Sequence, residues 1–406
     1  MADISTTMPL VTDSVRQAYK KIKARVYKTP LLTNKTIDSI ASSSSAGKGG
    51  PKFNIYFKCE NYQRIGAFKA RGAFHAVTHL VEVMGIEEVR RRGLVTHSSG
   101  NHAQALALAS SEFGIPAYIV MPTISTPSKI SGTQAYTEHV IFSGSTSQER
   151  EAKVQEVIDN TGAILIPPYD HPDIMLGQGT AALEMHEQYQ TKKAEQGQPP
   201  RLRAVLTPLG GGGLLSGTAI YFSESPDTAI VGCEPSHQGG NDGEMGLNAN
   251  PPKRIETVKT LTIADGLRTP VGLSPWQIFT STNDDPGAKK RLLEGIYSVS
   301  EEQIKHAMKL VLERMKVFVE PSAVVPLAVV LYNEKFREWA HSRQKAEGVE
   351  SWDIGIILSG GNTTIDAIMG IFGTKGEDPV RETRKERRAE GTEGLDGKSV
   401  AENVAG

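Results

Sequence analysis

Cysteine is scarce. The 406 residues hold only Cys59 and Cys233, each inside an apolar strand-like run, which excludes a disulfide framework and fits reduced thiols in a core. An excess of either charge is lacking too. With a formal net charge of −1 and both signs interspersed, there is no field to hold nucleic acid or an anionic membrane. No hydrophobic run is long enough to cross a bilayer, and the first residues carry neither an apolar signal core nor an arginine-rich pattern, so a cytoplasmic location is expected. What is present is a hydrophobic fraction of 38%, enough for a large core, and a length that predicts about two or three domains. Small-molecule chemistry is the default that remains.

The chain reads as an alternation. Strand-like runs at 54–60, 94–97, 117–121, 139–142, 163–166, 204–207, 230–233 and 354–358 alternate with helical patterns, the signature of α/β architecture with a parallel sheet covered by helices. An amphipathic helix capped by Asp13 is predicted to run to about Val26, before Thr29-Pro30. The Ser- and Gly-rich stretch 41–50 reads as a surface loop, and 236–283 as irregular. Ser300 with Gln303 has capping-box spacing, predicting a helix start there. From 374 to 406 the chain is charged with little that is apolar, and is expected to be disordered.

Ligands of open α/β sheets bind at the carboxyl ends of the strands, and four such ends are chemically loaded. Lys69 follows the first run at a strand-to-helix junction beside Phe68. A partly desolvated amine there loses its charged form more easily and becomes a nucleophile for Schiff-base chemistry. Taken alone, a solvated lysine in a first helical turn is the commoner reading. Gly210, Gly211, Gly212 and Gly213, followed by Leu214, stand between a strand and a helix, where backbone N–H groups converge on a phosphate. The spacing is that of neither a nucleoside triphosphatase loop nor a dinucleotide fingerprint. The loop of Ser98, Ser99, Gly100, Asn101 and His102 opens a helix and suits a carboxylate, although Ser and Asn are also ordinary helix caps. Ser359, before Gly360-Gly361, ends an apolar strand and is placed to meet a ring nitrogen. Together these imply a phosphate-bearing carbonyl cofactor acting on amino acids.

Seven motifs in order carry a resemblance: Phe68-Lys69-Ala70-Arg71-Gly72-Ala73, the loop 98–104, Gly177-Gln178-Gly179-Thr180, the tetraglycine, Gly232-Cys233-Glu234-Pro235, Ile263-Ala264-Asp265-Gly266 and 358–362. Over about residues 11–373 the chain resembles the serine racemase and serine/threonine dehydratase family of pyridoxal-phosphate enzymes, which includes L-threo-3-hydroxyaspartate dehydratases. The resemblance implies a two-domain tryptophan-synthase-β-like fold of open, mostly parallel sheets flanked by helices. It implies a large domain from 11–91 and 170–373, a small mobile domain from 92–169, and a homodimer. It makes Lys69 the covalent anchor of pyridoxal 5'-phosphate and the base for the α-proton, with Phe68 against the ring, Asn101 on the ring hydroxyl, Gly210 to Leu214 on the phosphate and Ser359 on the pyridine nitrogen.

The implied reaction is loss of a β-hydroxyl from L-serine, L-threonine or L-threo-3-hydroxyaspartate, yielding a 2-oxo acid and ammonia; the alternatives are mainly a racemase and a degenerate cofactor-binding protein. Ser99 matches the second acid/base of racemases, on the face opposite Lys69. Ser98 to His102, Arg150 and Thr269 are implied to surround the substrate, with Arg150 paired to a second carboxylate, while Pro167-Pro168-Tyr169-Asp170 is similar to the threonine-dehydratase loop. For a Mg²⁺ or Ca²⁺ ion the resemblance points to Glu234, the carbonyl of Gln238 and, with Gly240 in the usual place of the acid, Asp242. A nucleotide-activator site is only partly echoed, by Arg64 and Asn362.

Overall fold

The computed structural model describes residues 3–43, 49–98, 100–144, 147–281 and 292–373. Ten strands occur among them: β1 (Leu31–Thr33), β2 (Phe53–Cys59), β3 (Leu94–His97), β4 (Ala117–Pro122), β5 (Val140–Ser143), β6 (Ile164–Leu165), β7 (Leu202–Pro208), β8 (Ala229–Pro235), β9 (Gly295–Val299) and β10 (Trp352–Leu358). The helices are α1 (Thr12–Ile22), α2 (Lys35–Ser42), α3 (Lys69–Met84), α4 (Ile86–Arg92), α5 (Asn101–Phe113), α6 (Pro127–Gln134), α7 (Ser147–Thr161) and α8 (Pro172–Glu195). They continue with α9 (Gly213–Tyr221), α10 (Asp242–Asn248), α11 (Leu273–Thr280), α12 (Glu301–Leu310), α13 (Pro321–Tyr332), α14 (Glu334–Glu347) and α15 (Ile365–Phe372). Residues up to Thr363 form one compact unit. Helix α15 belongs to a second unit, where the Thr364 side chain accepts the Ala367 N–H as its cap.

Two sheets organise the first unit. Six strands run in the order β1-β2-β10-β7-β8-β9, parallel except for the antiparallel pair β1-β2, and four parallel strands run β5-β4-β3-β6. Strands such as β7 and β10 read as near-continuous apolar runs because helices cover both sheet faces. Helix α13 is buried almost throughout for the same reason. The Gly-Gln-Gly-Thr motif explains how closely the helices pack. A Cβ on Gly177 would lie 2.6 Å from Gly72 Cα of α3, and one on Gly179 would lie 2.6 Å from the Gly217 carbonyl of α9. Only glycine lets the three backbones touch.

Sequence expectations differ from the structure where tertiary contacts decide. Helix α1 begins at Thr12 after Val11, without a side-chain cap, because the Thr12 hydroxyl is buried against the carbonyls of Ile220 and Tyr221. Asp13 instead accepts from Gln17 within the helix. The helix stops at Ile22, whose carbonyl accepts the N–H groups of both Arg25 and Val26. Residues 41 and 42 belong to α2, with Ala41 buried, so the polar loop starts later than expected; residues 44–48 and the tail 374–406 lie outside the described residues. The stretch 236–283 contains α10 and α11. The cap of α11 is the Asp170 carboxylate, which accepts from Leu273 and Ser274 N–H at 2.8 and 2.9 Å and is far away in sequence. The box at Ser300 is present in both directions. Strands β1 and β9 were not visible in the pattern, being short and at the sheet edges.

Candidate active site

Strands β2, β10 and β7 are parallel neighbours, so three of the four loaded loops open side by side at the carboxyl ends of the six-stranded sheet. Lys69 is the first residue of α3. Its Nζ donates to the Pro168 carbonyl at 2.7 Å and lies 5.2 Å from the centre of the Phe68 ring. The side chain keeps some exposure, yet the protein around it strips enough water to bring its pKa from 10.5 down to about 8. Ser359, at the end of β10, is buried, and its carbonyl accepts the Phe68 N–H at 3.1 Å. An isolated bridge between Ala67 and Gly360 joins the same two loops.

The approach to Lys69 is held from both sides. Ile65 adopts φ 55°, a conformation that a β-branched residue enters only under constraint. Its carbonyl accepts from Asn362 Nδ2 at 2.7 Å, while the preceding Arg64 donates to the Arg25 carbonyl and pairs with Glu112. Below, Arg71 donates to Glu60 at 2.6 and 2.8 Å and to Glu184 at 3.0 and 2.8 Å. Lys58 donates to Glu184, the Thr29 carbonyl and Gln188 at 2.7, 2.8 and 2.9 Å. These four charged side chains have no solvent exposure, and their two cations balance two anions. Burial lowers the pKa of Lys58, against the opposing pull of Glu60 and Glu184.

The tetraglycine ends β7. Gly212, at φ 98°, is the N-cap of α9, which has no side-chain cap, so the positive end of that helix is left to its own amides. A Cβ on Gly211 would sit 2.3 Å from the Tyr169 ring and one on Gly212 2.7 Å from Pro275. Tyr169 directly follows the carbonyl that holds Lys69, and Leu214 is buried in the first turn of α9. Gly272 N donates to the Gly211 carbonyl at 3.0 Å, which ties the segment of half-buried Thr269 to the glycines.

Asn101 starts α5. Its amide is gripped on both ends, donating to Glu320 at 2.9 Å and accepting from Asn362 at 2.8 Å. Burial, then the nearby Asp265, raises the Glu320 carboxyl to about 7; Lys129 and the Asn101 hydrogen bond oppose the rise. Gly100 N donates to Ser98 Oγ at 3.2 Å. His102 is buried with Nε2 3.3 Å from the Ile166 carbonyl, and burial plus the charge of Lys69 brings its pKa to about 3, so the imidazole is neutral. Ser99 lies outside the described residues. Arg150, on α7, is close enough to His97 and Tyr169 to influence both electrostatically.

Sequence reasoning missed Glu320, Lys58 and the partners of Arg71. A clue to Glu320 was in the chain, an acid directly before Pro321 and a long apolar run. Of the residues suggested for a cation, Glu234 and Asp242 are near enough to interact: burial, then the charge of Asp242, raises the Glu234 carboxyl well above the usual carboxylate range. Glu234 accepts from Gly243 and Glu244 N–H at 3.0 and 2.9 Å, Asp242 accepts from Val271 N–H at 2.9 Å, and the Gln238 side chain accepts from Leu261 N–H. Among the described residues no group of three or more His, Cys, Asp or Glu side chains is gathered where it could hold a metal ion.

A lysine whose charge is made easier to lose, an uncapped helix end lined by glycines and a buried serine, all at the carboxyl ends of neighbouring strands, define an enzyme that anchors a carbonyl cofactor by its phosphate. Residues 23–345 match the pyridoxal-phosphate dependent enzyme family, and the chain belongs to it. It is 36% identical over 359 residues to a serine racemase of Dictyostelium discoideum, covering 88% of this chain and 96% of that one. It is 38% identical over 368 residues to an L-threo-3-hydroxyaspartate ammonia-lyase of Saccharomyces cerevisiae, covering 90% and 97%. Among solved structures, maize serine racemase superposes with a TM-score of 0.73 at 32% identity, over 93% of this chain and 99% of that one. The residues fit the cofactor. Glycines at which any Cβ would collide, together with the open end of α9, suit its phosphate, and the lowered pKa of Lys69 suits its carbonyl.

Proposed function

We propose that the protein removes the β-hydroxyl and the amine from L-serine, L-threonine or L-threo-3-hydroxyaspartate to give a 2-oxo acid and ammonia, with racemisation as an accompanying activity. The observation that carries this reading is Lys69 with its depressed pKa, held on the Pro168 carbonyl between the Ser359 and tetraglycine loops. When bound, pyridoxal 5'-phosphate supplies the electron sink that makes the substrate α-proton acidic.

The chain's own residues do the rest. Residues 98–102 at the start of α5 orient the substrate carboxylate, with the N–H groups of that helix end aimed outward. Lys69 takes the α-proton, which a lysine with a pKa near 8 does far more readily than an ordinary one. Phe68 would pack against the cofactor ring, and Gly210 to Leu214 would hold its phosphate. Asn101, fixed by Glu320 and Asn362, would serve the ring hydroxyl. Ser359, a neutral hydroxyl at the ring nitrogen, would leave that nitrogen without a proton, so that loss of the β-hydroxyl would compete with return of the α-proton. Arg150 serves a second carboxylate and Thr269 lines the same space.

Residues 92–169 act as the small mobile domain against a large domain of 11–91 and 170–373. In support, β3 to β6 all fall inside 92–169 and no strand of the larger sheet does. The working assembly is a cytoplasmic homodimer. Among the described residues no helix is long and apolar enough to cross a membrane.

A second reading, racemisation as the main reaction, is favoured by the similarity to serine racemases. The test is to supply the holoenzyme with each substrate and measure 2-oxo acid and D-enantiomer together. The expected result is 2-oxo acid as the larger product, with Lys69→Ala losing both products, the yellow colour and the borohydride-reducible lysine adduct. A wild-type holoenzyme that makes no 2-oxo acid from any of the three would refute elimination, and racemisation untouched by Ser99→Ala would refute the two-face arrangement.

A further inference from the structure

The motif Ile263-Ala264-Asp265-Gly266 has no role in the chemistry above, yet it meets the substrate loop through one side chain. Asp265 opens a short turn, Asp265–Leu267, and is ion-paired with Lys129 of α6. Asp265 sits among the loops of the six-stranded sheet, and Lys129 on a helix between β4 and β5 of the other sheet. The pair therefore spans the two. Lys129 is only 13% exposed and Asp265 34%, which sets the contact apart from a fully solvated ion pair.

Lys129 is not there for the good of its own helix. It is the third residue of α6, where the helix dipole is unfavourable to a cation. Helix α6 is weak in itself, with Gly132 near its middle and no side-chain cap from Thr126. Its position thus depends on what it touches. Toward α5, the Cβ site of Gly132 is 3.0 Å from Gln104. Toward the substrate loop, the end of Lys129 lies 3.5 to 3.6 Å from the Cβ site of Gly100. Lys129 thus lies beside Gly100 while its ammonium is held by Asp265.

We propose that Lys129 and Asp265 are a positioning pair that holds Gly100 and the start of α5 at the separation from Lys69 that the substrate's carboxylate and α-carbon require. The inference rests on the proposed amino-acid reaction for its substrate, but the clasp itself is a property of the chain. Neither residue touches the reacting atoms. Their effect is on KM more than on kcat.

The experiment compares Lys129→Gln, Asp265→Asn, the double variant and Lys129→Arg as holoenzymes. It reads KM and kcat for 2-oxo acid formation from L-serine and, separately, amide hydrogen exchange of residues 127–134. Each single neutral variant is expected to raise KM about tenfold with kcat changed less than about threefold. The double variant is expected to be no worse than either single, because both remove one contact. Lys129→Arg should recover most of the loss, and exchange across 127–134 should quicken in both single variants. KM within about twofold of wild type, or additive effects in the double variant, overturns the proposal. If Lys129→Gln does not fold, Asp265→Asn reads the same contact from the other side. A wild-type enzyme inactive on every substrate would sink the proposed function instead, and the exchange measurement would still decide the clasp: quickened exchange supports it and unchanged exchange defeats it.

Discussion

Lys58 and Lys69 stand at the two ends of one strand-to-helix connection, and the protein treats them in opposite ways. Lys58 has no exposure and is surrounded by donated hydrogen bonds to Glu184, Gln188 and a backbone carbonyl, inside a cluster whose charges cancel. Lys69 keeps some exposure but has a single neutral acceptor, the Pro168 carbonyl. The first is locked as a cation with its partners. The second has, among the described residues, no carboxylate at hydrogen-bond distance, so its charge is the cheaper thing to give up, and a free amine is what the chemistry needs. Burial depresses both, and the neighbouring carboxylates decide what that depression means.

The contrast can be broken hardest on the Lys58 side. Glu184→Gln leaves Lys58 and Arg71 short of an anion in the interior and is expected to destabilise the fold by about 4 kcal/mol. Urea unfolding measures it, and a loss below about 1 kcal/mol would mean that the cluster is not a charge-compensated unit. On the other side the sign reverses. Between about pH 8 and 10.5 the unfolded chain binds more protons than the folded one, because Lys69 is depressed only when folded; the folded state therefore gains stability as pH rises through that window. In cofactor-free protein at pH 7, Lys69→Met should be more stable than wild type by about 2 kcal/mol, the full shift being discounted for the exposure the side chain retains. That gain should fade as pH rises from 8 to 10.5. A variant less stable than wild type at pH 7 would contradict the assignment of Lys69 as a strained amine. The smallest effect sharpens the comparison: Gln188→Ala removes one neutral acceptor from Lys58 and should cost about 1 kcal/mol, with no change in the colour of the holoenzyme.

Lys69, the tetraglycine and Ser359 were legible because each stands in a local strand-to-helix pattern whose residue types announce their chemistry. The strand alternation placed most of the parallel sheets for the same reason. What could not be read is long-range. Asp170 caps α11, Glu320 grips Asn101 and Asp265 meets Lys129, and in each case the two partners are ordinary residues until the fold brings them together. Arg71 was visible in the motif, but only the crossing of α3 with α8, which brings Glu184, and the turn after β2, which brings Glu60, show that two carboxylates saturate it.

That crossing has a mechanical consequence. With a missing Cβ at Gly177 the backbones of α3 and α8 come so close that a single added carbon would collide with Gly72 Cα, and the Gln178 side chain accepts the Gly72 N–H at 3.1 Å. Two shafts keyed together in this way cannot slide. Helix α3, with Lys69 at its tip, is therefore braced on α8 and cannot shift along its axis unless α8 moves with it.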